Sequence, residues 1–177
     1  NGRFYCYLML FMSAMLGTVF ANNLIVLLVF WEFTGITSFL LIGFSHEKKE
    51  SRTGALMAFV TTGLTGLLLL AGLILLTILF KTSDFSQIVS LIGENSLTTI
   101  FSPNQIPYLK AAMALILIGA FGKSAQFPFQ YWLPNAMAAP TPVSAYLHSA
   151  AMVKLGIFLT VRMYPIFKTL SGWNETL

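Results

Sequence analysis

From Phe4 to Ala21 and again from Leu24 to Phe44 the chain is overwhelmingly apolar, with Asn22 and Asn23 hinging the two runs. Each run is close to the roughly 20 residues that an α-helix needs to cross a hydrocarbon core about 30 Å thick. A polar stretch, SHEKKESRT (Ser45–Thr53), reads as a surface loop. A third apolar run, from about Gly54 to Phe80, is longer than a span requires and predicts a tilted or protruding helix. A fourth span starts near Tyr108 and meets Pro128; a fifth begins around Thr141 and ends near Tyr164, where Pro165 follows. About five spans are expected, in an all-α polytopic transmembrane bundle.

The segment between the third and fourth spans has a different pattern. Phe85, Ile88, Val89 and Ile92 recur at helical spacing, one apolar face of a short helix near residues 84–93. Ser83 or Asp84 is placed to cap it and Gly93 to end it. Such a helix lies along the membrane surface or against another subunit, or serves as a capped connector.

Composition sharpens the class. The chain is 56% hydrophobic and 9% charged, far below the charge content of about 25% usual for soluble domains. The alternation of a lipid-facing barrel strand is absent. The basic residues are scattered, which points away from nucleic acid. Cys6 is the one cysteine, which rules out an internal disulfide and a Cys-ligated iron–sulfur cluster. No nucleotide-binding glycine motif or catalytic triad is recognisable, so no cofactor and no enzyme activity of its own are expected. The opening NGRF lacks an initiator Met, and the chain is read as a fragment of a longer protein. Assigning loops alternately puts Arg3, Lys48, Lys49 and Arg52 on one side and Lys81, Lys110, Arg162 and Lys168 on the other. The positive-inside rule then has nothing to decide.

Against this background a few charges stand out. Glu32 lies about 12 Å along the helix from Leu24, near mid-membrane, where a charge costs about 2.5–3.5 kcal/mol. It either faces a bundle interior and finds a partner or stays as a neutral, hydrogen-bonded acid. Lys123 precedes a stretch in which Pro128 and Pro134, with Pro140 and Pro142 beyond, read as helix-breaking. Pro128 lacks an N–H, and its ring obstructs the carbonyl of Ser124 four residues back. Backbone freed at membrane depth is tolerated where it lines a cavity or is covered by protein. Lys123, flanked by Ser124 and Gln126, is therefore either a cavity residue or a snorkelling one. Lys154 sits near the centre of the fifth span. His148, six residues earlier, is about 120° away around the helix; it either donates to a backbone carbonyl or serves a proton relay. A Glu–Lys pair suits a group that gains and loses a proton. Separating the two charges removes on the order of 4 kcal/mol of attraction at an effective dielectric of 20.

GKSAQFPFQYWLPNAMAAPTPVSAYLHSAAMVK closely resembles the core of the proton-translocating antiporter-like membrane subunits found in respiratory complex I and in Mrp-type sodium/proton antiporters. NNLIVLLVFWEFTGITSFLLIGF resembles the family's glutamate-bearing helix, and the resemblance covers essentially the whole chain. It implies that Glu32 and Lys123 form a charge pair beside a discontinuous helix and that His148 and Lys154 continue a proton relay. Where the complex I form carries an Arg and an Asp in the third span, this sequence reads VTTGLTG, with Gly63 and Gly66. The large A-type subunit of the Mrp antiporters is the nearer resemblance, and a proton-pumping subunit of NADH:quinone oxidoreductase is the alternative. Residues 1–177 then form part of a proton-antiporter membrane domain, its first half-channel at most. The resemblance further implies other membrane subunits of a hetero-oligomeric complex as partners, with protons and Na+ as the transported ions. It implies a multi-pass protein of a bacterial-type plasma membrane. A purely structural anchor and a small-solute transporter, which also uses broken helices, are the contrasting classes.

Overall fold

The computed structural model describes residues 2–94, 97–137, 141–145, 151–168 and 170. Their named elements are all helical. In order they are α1 (Gly2–Phe20), α2 (Leu24–Ile42), a 3-10 turn (Gly43–Ser45), α3 (Lys49–Phe80), α4 (Phe85–Glu94), α5 (Leu97–Ile100), α6 (Ile106–Lys123), α7 (Trp132–Ala136), α8 (Thr141–Ser144) and α9 (Met152–Phe167). Four of the described helices are long and apolar enough to cross a membrane: α1, α2 with its 3-10 extension, α3 and α6. The expected fifth span is described as two pieces, α8 and α9.

The hinge at Asn22 and Asn23 does more than turn the chain. Asn23 sits in extended backbone as the N-cap of α2, its Oδ1 accepting from the N–H groups of Ile25 and Val26 at 2.9 and 3.3 Å. Leu24 N–H donates to Ser83 O, and Phe85 N–H to Asn22 O, both at 2.8 Å. The α1–α2 turn is thereby stitched to the α3–α4 turn. Asn23 Nδ2 adds bonds to Ser83 Oγ at 2.7 Å and Asp84 Oδ1 at 3.2 Å.

Several element boundaries differ from the sequence reading. Helix α3 starts at Lys49, so Lys49 to Thr53 are helix rather than surface loop. Lys, Glu and Arg are good helix formers, and Glu50 in the first turn suits the positive end of the helix dipole. Buried Ser51 donates to Ile42 O at 2.6 Å and locks that start against the end of α2. The 32 residues of α3 extend about 48 Å, well beyond the hydrocarbon thickness. Pro165 does not end the last helix, which runs through it to Phe167. Lys168 N–H reaches Tyr164 O at 2.9 Å, so the turn closes past the proline.

Helix α4 buries the face its pattern predicts. Ile88 and Ile92 are buried, and Phe85 and Val89 pack beside them on the core, with α9 as a neighbour. Its partner is thus the bundle itself. The Asp84 carboxylate accepts from the side-chain amides of Gln87 and Asn23 rather than capping the helix backbone.

The bundle is held by close helix approaches. An added Cβ on Gly119 would come within 2.6 Å of Leu69 Cβ, and one on Gly72 within 2.9 Å of Ile116 Cγ1, so α3 and α6 touch where only glycine fits. Small residues at helix interfaces are how membrane helices gain packing without a hydrophobic driving force. Gly156 brings α9 equally close to α6, its added Cβ lying 2.8 Å from Ser124 Cβ. Arg162, assigned to a loop by the charge count, lies within α9 and holds the end of α1. Its Nη1 donates to Val19 O at 2.8 Å and its Nη2 to Ala21 O, while the guanidinium stacks 5.0 Å from the Phe85 ring. Those carbonyls are among the orphan acceptors every helix C-terminus leaves.

Candidate functional site

Helix α6 ends on Lys123, and the local sequence explains why. Continuing into Pro128 would press its ring against the Ser124 carbonyl. The chain leaves earlier, with Ser124 as C-cap and Ala125 in the left-handed region at φ 51°. Gln126 N–H then reaches back to Phe121 O at 3.0 Å, and the Ser124 hydroxyl donates to Ala120 O at 2.7 Å. This six-to-one closure is the Schellman pattern, formed here on alanine instead of glycine. Trp132, fully buried in α7, donates its indole N–H to Gly122 O at 2.9 Å. One of the carbonyls orphaned at the end of α6 is thereby satisfied, and the chain beyond the break is anchored to it.

Lys123 is fixed by this ending. Its side chain is 1% exposed, so it does not snorkel. The ammonium donates to Trp31 O at 2.9 Å, lies 5.3 Å from the Trp31 ring, and would be 3.4 Å from a Cβ added to Gly35. Among the described residues its one hydrogen bond is therefore to the main chain of α2, one residue before Glu32, and not to the carboxylate. Glu32 is partly buried, and its Oε1 is shielded from solvent without a hydrogen-bond partner among the described residues. That oxygen rests on Gly66 of α3: an added Cβ there would collide with Oε1 and come within 2.9 Å of Cδ. On its outer side Glu32 borders a cleft of about 400 Å³ walled by Val29, Phe33 and Ile36. Buried Thr62 and Thr65 of α3 face α2 and the end of α6: Thr62 Oγ1 would lie 3.8 Å from a Cβ added to Gly35, and Thr65 abuts Gly122.

The remaining candidates fall elsewhere. Lys154 is the third residue of α9, and it is exposed. Gly156 faces α6, and two residues along a helix turn about 200°, so Lys154 points away from α6. His148 and Pro140 lie outside the described residues. Pro134 does not break a helix but sits in the first turn of α7, and Pro142 is the second residue of α8, positions where a missing N–H costs little. The sequence reading used Gly66 only to separate the two branches and gave no role to Gly66, Trp132 or Thr62 in the site. A glycine four residues from another small residue in an apolar span was the available signal for the first, and nothing local marked the other two.

A bundle of apolar helices with a fully buried lysine at the end of an interrupted helix, bonded to the carbonyl one residue before a mid-span glutamate, defines a polytopic membrane protein with ionisable groups inside its helix bundle. Residues 21–177 match the family described as "NADH:quinone oxidoreductase/Mrp antiporter, TM", and the chain belongs to that family. It is 51% identical over 176 residues to the Na(+)/H(+) antiporter subunit A1 of Staphylococcus saprophyticus, covering 99% of this chain and 21% of that protein. The subunit A1 of Staphylococcus aureus is also 51% identical, over 178 residues. Among solved structures, the Mrp complex from Dietzia sp. DQ12-45-1b superposes with a TM-score of 0.85 at 38% identity, covering 100% of this chain and 18% of that one. An archaeal membrane-bound sulfane sulfur reductase shares the fold, with a TM-score of 0.82 at 24% identity. The chain spans about a fifth of the length of the relatives it matches. The antiporter names of these relatives agree with the branch preferred from Gly63 and Gly66.

Proposed function

We propose that this chain forms a proton-handling half-channel in the membrane subunit of a multisubunit cation/proton antiporter, with Na+ as the exchanged cation and a bacterial plasma membrane as its setting. Lys123 is the group that takes up and releases the proton. Glu32 modulates its grip, since the carboxylate favours the charged ammonium and burial disfavours it. His148 and Lys154 carry the proton onward, Lys154 toward groups supplied by the rest of the complex. The observation that carries this reading is Lys123 itself. An ammonium enclosed in the bundle and tied to one carbonyl, one residue before a mid-span glutamate whose Oε1 has no hydrogen-bond partner among the described residues, is costly to keep unless its charge is used.

The test is made in the full-length protein within its complete complex, expressed in a sodium-sensitive host. Lys123→Ala is expected to abolish proton-coupled exchange in membrane vesicles while assembly persists, and Glu32→Gln to impair it strongly. Wild-type exchange in an assembled Lys123→Ala complex would sink the proposal and favour a structural anchor. Lys154→Ala should impair exchange strongly and His148→Ala more mildly, because water can bridge a missing imidazole.

The family also includes subunits of NADH:quinone oxidoreductase, where the same residues would serve redox-driven pumping. The names of the relatives favour the antiporter reading.

A further inference from the structure

At the membrane face where α1 begins, α2 ends and α3 begins, a groove of about 660 Å³ opens between the three helices. Arg3, His46 and Arg52 stand at its mouth, and Tyr7, Phe39 and Leu56 line it one to two helical turns further in. The mouth is basic and the walls are apolar. Neither Glu47 nor Glu50, on the same connecting segment, lines it. Arg52 commits Nη1 to His46 O at 3.2 Å, which holds the guanidinium at the opening and leaves its other donors without a partner among the described residues. No described residue accepts a hydrogen bond from Arg3.

We propose that this groove binds one anionic glycerophospholipid, its phosphate held between Arg3 and Arg52 and one acyl chain lying along Tyr7, Phe39 and Leu56. The two halves of the groove call for the two halves of such a molecule. Guanidinium forks match phosphate oxygens in geometry and charge, and basic pockets between transmembrane helices favour anionic headgroups. A soluble anion would use the mouth and leave the apolar walls uncovered. A zwitterionic lipid would bring its own ammonium against two arginines.

The full-length protein, purified with the subunits that accompany it, is placed in phosphatidylcholine nanodiscs doped with phosphatidylglycerol. Lipid retained per protein through mild delipidation is then counted by mass spectrometry. Wild type should retain phosphatidylglycerol over phosphatidylcholine. Arg3→Gln/Arg52→Gln should retain it roughly tenfold less well, given the pull of each basic residue on an anionic headgroup. Arg3→Gln alone, which disturbs no described hydrogen bond, should show part of that loss with unchanged thermal unfolding. Lys81→Gln, at the opposite end of α3, should behave as wild type. Equal retention by wild type and double variant would overturn the proposal. So would displacement of the lipid by inorganic phosphate, or a photo-crosslinker at Leu56 that captures a polypeptide instead of lipid.

Discussion

Lys123 bonds to a main-chain carbonyl, and that choice shapes what its substitution should do. Trp31 O also accepts from the Thr34 hydroxyl at 2.6 Å, so removing the ammonium does not strand a buried acceptor. Lys123→Met, which keeps most of the side-chain volume, should therefore assemble normally and lose exchange. That separation of assembly from activity can be read from pull-down and vesicle assays on one preparation. Gly66 makes the complementary case for Glu32. A methyl group at Gly66 has to displace the carboxylate, which is the movable end of a flexible side chain, so the helices need not part. Gly66→Ala should slow exchange about tenfold, the equivalent of about 1.4 kcal/mol at the barrier. Glu32→Asp, one methylene shorter, should recover part of that rate in the Gly66→Ala background. Gly63→Ala, whose added Cβ meets nothing within 4 Å, is the control. A double variant no faster than Gly66→Ala would show that the seat does not act through Glu32.

Among the elements, the decisive features are helix ends. The end of α6 relies on the Trp132 indole reaching Gly122 O. Trp132→Phe keeps an aromatic ring but leaves that carbonyl short of a donor, at a cost of about 1–3 kcal/mol. A lower thermal midpoint of the purified protein, together with slower exchange, is the expected outcome. A lowered midpoint with full exchange would mean that the anchor serves stability alone. The end of α1 relies on Arg162 in the same way, across 143 residues of sequence. Arg162→Gln should raise protease access at the α1–α2 turn, because the Val19 and Ala21 carbonyls lose their charged donor and α1 has few other buried residues. Unchanged cleavage would show that packing alone holds α1. Neither contact was visible beforehand. In the sequence Arg162 figures only in the count of charges on the two sides of the membrane, and nothing local sets Trp132 apart.

For the whole molecule, the chain spans about a fifth of the length of its relatives, and its surface leaves room for further contacts. Exposed apolar residues such as Val29, Leu64, Leu67 and Val161 face outward from the bundle, where lipid or further helices can meet them. Purification of the full-length protein should bring down other membrane subunits without soluble flavin or iron–sulfur subunits. The presence of those redox subunits would move the chain to the complex I branch.

The apolar runs determined by themselves that this chain is a bundle of membrane helices, because a helix is the one open-ended structure that satisfies its own backbone in lipid. They also marked Glu32 and Lys123, since a charge in such a run is conspicuous for its energetic cost, and the amphipathic face of α4, whose spacing is local. Tertiary structure decided the rest. That Lys123 turns to Trp31 O, that Glu32 rests on Gly66, that Arg162 closes α1 and that Lys154 faces away from α6 all depend on how helices distant in sequence meet. Their approach is set by glycines whose value lies in the backbone they admit, and an absent side chain leaves no mark in a pattern of hydrophobic and polar positions.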